Sequence, residues 1–120
     1  MYDHIGLKVK DMSASARFYT AVLAPLGHVP GSSGDSYAGF GPKDAAALWL
    51  HAFEGKPGPG AHVCFSAPSR AAVDAFHAAG LKAGGKDNGK PGPRPDYGAK
   101  YYAAFLFDLD GNNIEAVCFK

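Results

Sequence analysis

Apolar and polar residues alternate in two stretches that lie 58 positions apart in the chain. Asp3–Val9 and Ala61–Ala67 each place an apolar side chain at every second position, which predicts strands with one buried face. Each strand leads into a segment in which apolar residues recur with helical spacing. A histidine stands at the second position of both stretches, as His4 and His62. The chain is therefore predicted to contain a duplicated unit.

The two helical segments carry recognisable start and stop signals. Asp11 is the predicted N-cap of a helix over residues 12 to about 26, whose last turn is distorted by Pro25. Ser69 is the corresponding N-cap of a second helix, which is predicted to end at Gly80.

The remaining strands are short and are separated by turns rich in glycine, serine and aspartate. They are predicted at residues 28–30, 37–41, 46–53, 100–108 and 112–119, and from a weaker pattern near 81–86. Residues 1–53 and 61–120 then each have the order βαβββ, and the glycine- and proline-rich segment 54–60 links them. The predicted fold is one α+β domain over residues 1–120. Its two βαβββ units form a curved eight-stranded mixed sheet with the helices on the convex side.

Composition and charge narrow the class of function. The chain has 120 residues, of which 47% are hydrophobic, and its formal net charge is +1. No basic face predicts nucleic-acid binding, and no apolar run approaches the length of a bilayer span. With two cysteines and no apolar signal segment, the expected location is the cytoplasm. Cys64 and Cys118 are expected to be free thiols on opposite faces of their sheet.

Three potential metal ligands share one face of the predicted sheet. Because alternate residues of a strand point to the same side, His4 and His62 lie opposite the apolar residues of their strands. Glu115 likewise lies opposite Ile114 on the last strand. Two imidazoles and one carboxylate suit a divalent ion such as manganese, iron, cobalt, nickel or zinc, and three protein ligands leave positions open for substrate. The predicted metal site is therefore His4, His62 and Glu115.

Aromatic and basic residues surround these ligands on the predicted concave face. The residues predicted to contact a small-molecule substrate are Lys8, Trp49, Tyr101, Phe105 and Arg94. His51 shares a face with Trp49 on the fourth strand. It is a candidate catalytic base, because an imidazole exchanges protons near neutral pH, or else a further ligand or part of the pocket wall.

Three other features have competing interpretations. The tract 84–98 is either a lid whose Arg94 binds an anionic group of the substrate or a solvated loop. Cys64 is expected to be a small buried core residue rather than a pocket thiol. His77 is expected to face solvent from the second helix.

The chain resembles the vicinal oxygen chelate superfamily over essentially its whole length. The resemblance rests on the doubled βαβββ layout, the histidine near the start of each unit, the Phe18-Tyr19 pair and the ending Asp-Leu-Asp-Gly-Asn-Asn-Ile-Glu at 108–115. That superfamily includes glyoxalase I, bleomycin-resistance proteins, fosfomycin-resistance thiol transferases and extradiol dioxygenases. It implies metal ligands on the first, fifth and eighth strands, where the three predicted ligands of this chain stand. The additional fourth-strand glutamate of glyoxalase I has no counterpart here.

Two classes of function follow. The first is a small metalloenzyme that chelates adjacent oxygens of an organic substrate, as a lyase, isomerase, thiol transferase or dioxygenase. The second is a metal-free protein that sequesters a small molecule, as the resemblance to bleomycin-resistance proteins implies. A homodimer is expected because open curved sheets leave edges that a second copy can cover. The resemblance adds that the pocket can lie across the interface, with His4 of one chain facing His62 and Glu115 of the other.

Overall fold

Eight strands and two helices follow the order βαβββ twice in the computed structural model, which describes residues 1–56 and 58–120. The first unit consists of β1 (Ile5–Val9), α1 (Met12–Leu23), β2 (Val29–Ser33), β3 (Tyr37–Gly41) and β4 (Leu48–Ala52). The second consists of β5 (His62–Ser66), α2 (Arg70–Lys82), β6 (Lys86–Pro93), β7 (Tyr102–Phe107) and β8 (Asn113–Cys118). Among the described residues, no helix is long and apolar enough to cross a membrane.

The strands are divided between two mixed sheets of four, with the orders β1-β4-β3-β2 and β5-β8-β7-β6. In each sheet the first strand of the unit pairs in parallel with the last, and the other pairs are antiparallel. The predicted α+β class with two βαβββ units is therefore confirmed. β1 and β5 each lie at one edge of their sheet and leave one side free of ladder partners among the described strands.

Both helices begin where the sequence predicts. The side chains of Asp11 and Ser69 accept hydrogen bonds from the first turns of α1 and α2, at 3.0 and 3.1 Å. α1 ends at Leu23 and continues as a 3₁₀ turn through Pro25. The predicted end of α2 at Gly80 is wrong, because the helix runs on to Lys82. A Cβ at position 80 would lie only 2.2 Å from a methyl carbon of Leu106, so this glycine lets the helix approach β7.

The helices of the two units contact each other and share one hydrophobic core. α1 covers the inner face of the first sheet and α2 covers that of the second. Phe18 and Phe76 are fully buried between the layers, together with Leu50 and Ile114 from the central strands. The opposite face of each sheet carries no helix from residues 1–56 and 58–120, and these two surfaces are called the outer faces below.

The turn between β7 and β8 ties the two units together. The carboxylate of Asp108 is buried and accepts a 2.5 Å hydrogen bond from the hydroxyl of Tyr19 in α1. Asp110 accepts one from the backbone N–H of Lys10, at 2.9 Å, and a longer one from Ser15. The units therefore meet through charge-assisted hydrogen bonds as well as through the core.

The sequence predicts part of a lid or a solvated loop here and a strand near 81–86, but residues 86–93 form strand β6. β6 pairs with β7 along its length, with register shifts at Asp87, Gly89 and Gly92. It lies at the edge of the sheet, where Pro91 and Pro93 need not donate hydrogen bonds to a further strand. The lid and the solvated-loop interpretations are therefore both wrong for residues 86–93.

His77 is buried rather than exposed to solvent, which corrects the prediction for this residue. Only 6% of its surface is accessible, and Nε2 lies 2.8 Å from Oδ1 of Asp87 at the start of β6. The hydrogen bond to His77, followed by one from the backbone N–H of Gly89, lowers the pKa of the Asp87 carboxyl. This pair fixes the edge strand to α2.

Replacing Asp87 with asparagine should lower the melting temperature at pH 6, and the difference from the wild type should shrink as the pH falls below about 4. A carboxyl whose folded pKa is depressed stabilises the fold above its unfolded pKa, roughly 3.9, and this contribution is lost as pH falls through the folded value. Thermal unfolding of the wild type and D87N across this pH range measures the effect. The exposed Asp96 offers the control D96N, and equal melting temperatures for wild type and D87N at pH 6 would contradict the assignment.

Candidate functional site

Two of the three predicted ligands meet on the outer face of the second sheet. The parallel register of β5 and β8 sets Cys64 opposite Glu115 and His62 opposite Asn113. The Nε2 atom of His62 lies 3.1 Å from Oε2 of Glu115. Only 3% of Glu115 is exposed, whereas half of the His62 side chain is accessible to solvent. A nearly buried carboxylate thus stands beside an accessible imidazole.

Two further groups contact the Glu115 carboxylate. The hydroxyl of Tyr101 donates a 2.5 Å hydrogen bond to Oε1, and this bond is the main reason that the pKa of Tyr101 is raised. Desolvation, and then the charge and hydrogen bonding of Glu115, raise the pKa of the Cys64 thiol to about 12. Cys64 is an exposed residue, which corrects the prediction that it is a small buried core residue. The thiol therefore remains protonated at neutral pH and is a poor nucleophile.

The hydrogen bonding of His62 shows which of its ring nitrogens is available. Nδ1 lies 3.1 Å from the carbonyl oxygen of Asn113, which can only accept, so the Nδ1 proton is assigned to this bond. In the neutral imidazole, the lone pair of Nε2 then faces the Glu115 carboxylate, and two acceptors 3.1 Å apart repel each other. A shared proton or a cation between them removes that repulsion. Metal-binding histidines commonly show this arrangement, in which the second ring nitrogen donates to a carbonyl.

His4 lies apart from the cluster formed by His62, Glu115, Tyr101 and Cys64. It precedes β1 and its side chain is exposed, with Nδ1 2.7 Å from the carboxylate of Asp3. In phase with Gly6 and Lys8, it belongs to the outer face of the first sheet. Across residues 1–56 and 58–120, no three histidine, cysteine or acidic side chains are placed to hold a metal ion together. The structure therefore joins His62 with Glu115 and leaves His4 on the other sheet.

The other residues predicted on the first sheet lie on its outer face. Leu48 and Leu50 are buried on the helix side of β4, so Trp49 and His51 point outward. Trp49 lies against Gly39, where a Cβ would approach the indole to 2.6 Å. His51 is an exposed residue whose ring stands beside Gly6. The His51 ring thus lies beside β1, the strand that follows His4, whereas the Trp49 ring lies over β3.

Phe105 and Arg94 lie beside His62 on the second sheet. The rings of His62 and Phe105 are stacked with centroids 6.4 Å apart, and the Arg94 guanidinium lies 5.5 Å from the Phe105 centroid. Arg94 also donates a 2.6 Å hydrogen bond to the carbonyl of Lys90, which holds it within this surface. The planar guanidinium therefore covers one side of the cluster.

Two aromatic residues near the cluster were not identified from the sequence. Tyr97 and Phe119 each contact the ring of Tyr101 edge to face, with centroids 5.3 Å apart, and both are mostly exposed. Phe119 directly follows the last strand, so extending the alternation of that strand past Cys118 would have identified it. Tyr97 lies in an irregular segment and gave no such signal.

Comparison with known proteins agrees with the observed fold. The family model described as glyoxalase/bleomycin resistance protein/dioxygenase superfamily matches residues 2–116. The chain belongs to this superfamily. No functionally curated protein matches the chain with significant similarity.

Solved structures of superfamily members resemble the chain along nearly its whole length. A glyoxalase/bleomycin resistance protein from Albidiferax ferrireducens is 34% identical, with 98% of each chain covered and a TM-score of 0.85. A glyoxalase/bleomycin resistance protein/dioxygenase family enzyme from Burkholderia phytofirmans is 16% identical, again with 98% of each chain covered, and its TM-score of 0.75 shows the shared fold.

Proposed function

We propose that the protein is a metal-dependent enzyme whose ligands are His62 and Glu115 of one chain and His4 of a second chain. The observation that carries this proposal is the lone pair of His62 Nε2, which faces the Glu115 carboxylate at 3.1 Å while Nδ1 is used by a carbonyl. An imidazole and a carboxylate are suitable donors for manganese, iron, cobalt, nickel or zinc.

The geometry of the sheets supports a homodimer with a shared site. His4 stands at the start of edge strand β1, and His62 at the start of edge strand β5, on different sheets of one chain. A second copy that sets its β1 alongside β5 would bring the two outer faces together and supply His4. Partly exposed apolar residues such as Ile5 and Phe119 would then be covered.

The roles of the surrounding residues follow from their positions. A divalent ion in this site would supply an electrophile that polarises two adjacent oxygens of a substrate. Tyr101 holds Oε1 of Glu115 and leaves Oε2 directed at His62. Trp49 and Phe105 provide apolar walls, and Arg94 and Lys8 provide positive charge. His51, exposed on the same outer face as His4, is positioned to accept or return a proton. Lyase, isomerase, thiol transferase and dioxygenase reactions all fit this arrangement.

The second candidate function is metal-free binding of a small molecule. The observation that favours it is that Glu115 already accepts the Tyr101 hydroxyl at 2.5 Å and stands beside a protonated Cys64 thiol. A protonated His62 would complete a satisfied polar cluster without a metal. The aromatic surface of Trp49, Tyr101 and Phe105 would then serve for binding alone.

Mixing two inactive variants tests whether two chains share a metal site. His4→Ala and Glu115→Ala chains should each bind metal weakly as homodimers. In a mixed dimer, His62 and Glu115 of the H4A chain face His4 of the E115A chain, so one complete site forms. Metal content and calorimetry should therefore show about one tight site per mixed dimer. Mixing either variant with itself is the control.

Three results would oppose the proposal. A monomer in light scattering at micromolar concentration, or a mixed sample without a restored site, would exclude the shared arrangement. A wild-type protein without bound metal, and without heat on titration with any of the five ions, would leave metal-free binding as the function.

A further inference from the structure

A cleft lined by three lysines adjoins the outer face of the first sheet. It lies between β1 and the linker that joins the two units, and its volume is about 470 Å³. Lys8 and Lys10 line it from the β1 side, and Lys56 lines it from the linker. Phe53 forms an aromatic wall, and Asp110 stands at the margin of the cleft. The residues from the linker include glycines, which leave the backbone accessible from the cleft.

The charge of this cleft is strongly positive for a protein whose net charge is only +1. The residues that line it include three lysines and one carboxylate, that of Asp110. Its two oxygens accept hydrogen bonds from the Lys10 backbone N–H, at 2.9 Å, and from the Ser15 hydroxyl, at 3.4 Å. Among the described residues, no carboxylate lies within 4 Å of the three ammonium groups. The cleft thus has a formal charge of about +2 that no ion pair neutralises.

Contact with Phe53 limits the freedom of one of the lysines. The Lys8 ammonium lies 5.1 Å from the centroid of the Phe53 ring, within the range of a cation–π interaction. That contact holds the charge at the wall of the cleft, so less conformational freedom is lost when an anion binds.

We propose that this cleft binds the phosphate group of a small phosphorylated substrate. A phosphate monoester carries about −1.5 to −2 charges at neutral pH, which matches the charge of the cleft. Lysine binds phosphate as a point charge and makes no demand for the planar fork that arginine offers to carboxylates. The phosphate is thus the ligand that best fits three lysines without an arginine.

The position of the cleft indicates a class of substrate for the proposed enzyme, and in this respect the inference rests on the proposed function. His4 directly precedes β1 and is in phase with Lys8, four residues further along, so their backbones are roughly 13 Å from each other. A substrate that reaches both places would carry its phosphate on an arm, several bonds from the two oxygens near His4. Smaller uncharged dicarbonyl compounds would leave the cleft unused.

Titration of the full-length, metal-free protein with inorganic phosphate tests the cleft independently of the metal site. We expect saturable binding, followed by calorimetry and by amide shifts of Gly6, Lys8 and Lys10 in NMR spectra. The variant K8Q/K10Q/K56Q should bind phosphate at least about tenfold more weakly, because it removes all three positive charges that line the cleft. K43Q/K82Q/K100Q removes the same charge elsewhere and should bind like the wild type. Succinate should bind more weakly than phosphate.

Each alternative result has a definite meaning. Equal weakening in both triple variants, absence of saturation in the wild type, or tighter binding of succinate than of phosphate would overturn the proposal. Phosphate binding that persists in Glu115→Gln supports a cleft separate from the metal ligands. Metal binding without phosphate binding would contradict the phosphate site and leave the proposed metal-dependent enzyme standing. Phosphate binding without metal binding would contradict the metal-dependent enzyme and leave the phosphate site standing.

Discussion

Replacing Glu115 with glutamine should lower the affinity for divalent metal by more than roughly 10- to 100-fold. That range is what is lost when a residue that only positions a metal ligand is removed. The substitution keeps the size of the side chain and its ability to accept the hydrogen bond from Tyr101, but removes the negative charge beside His62. His62→Ala removes the second donor and should have a similar effect. Calorimetric titration with manganese, nickel or zinc measures the loss.

Two controls separate this effect from general damage to the fold. Ser66→Ala changes an exposed residue on the same strand as His62 and should leave metal affinity unchanged. His51→Ala should alter metal content little and can still reduce turnover. Unchanged thermal unfolding of E115Q would show that the fold survives. Metal affinity equal to that of the wild type in E115Q would place any metal at another site.

Asp108→Ala should reduce the free energy of unfolding by about 3–5 kcal/mol. The buried carboxylate accepts four hydrogen bonds, from the Tyr19 hydroxyl, the backbone N–H groups of Asp110 and Asn112, and the Asn112 side chain. Removing it leaves several buried donors without partners, and each such loss costs about 1–3 kcal/mol. Chemical denaturation of the wild type and the variant measures the difference.

Matched variants test whether the effect arises from the unpaired donors. Tyr19→Phe removes one donor and leaves the carboxylate with three, so it should cost only about 1–2 kcal/mol. Asp35→Ala, in an exposed turn, should change stability by no more than about 0.5 kcal/mol. A loss below about 1 kcal/mol in D108A would show that the turn does not hold the two units together.

The faces of the central strands could be predicted from the sequence because their patterns are local. Leu48 and Leu50 alternate with Trp49 and His51, so burial of one pair implies that the other points outward. In β8 the alternation was less clear, because Ile114 and Glu115 are both buried. The alternate spacing nevertheless predicted that Glu115 lies on the same face as His62, where the structure places it. Alternation thus identified the face of the sheet, although it could not predict how deeply each side chain lies.

The remaining differences depend on contacts between distant parts of the chain. β6 contains glycines and prolines in place of alternating apolar residues, and its pairing with β7 supplies the hydrogen bonds. Burial of His77 follows from its bond to Asp87, which neither residue predicts alone. The sequence also could not say that His4 and His62 lie on separate sheets, because both occupy equivalent positions in their units.

The prolines at the sheet edges have a consequence for how copies of the chain associate. The two strands at the far ends of the sheets contain proline, Pro30 in β2 and Pro91 and Pro93 in β6, whereas β1 and β5 contain none. Proline cannot donate a backbone hydrogen bond, so the far edges are poor templates for another strand. The edges left most suitable for pairing between chains are therefore those of β1 and β5. In the proposed homodimer, two copies would satisfy both edges of each other, so the assembly would close at two chains instead of growing into a fibre.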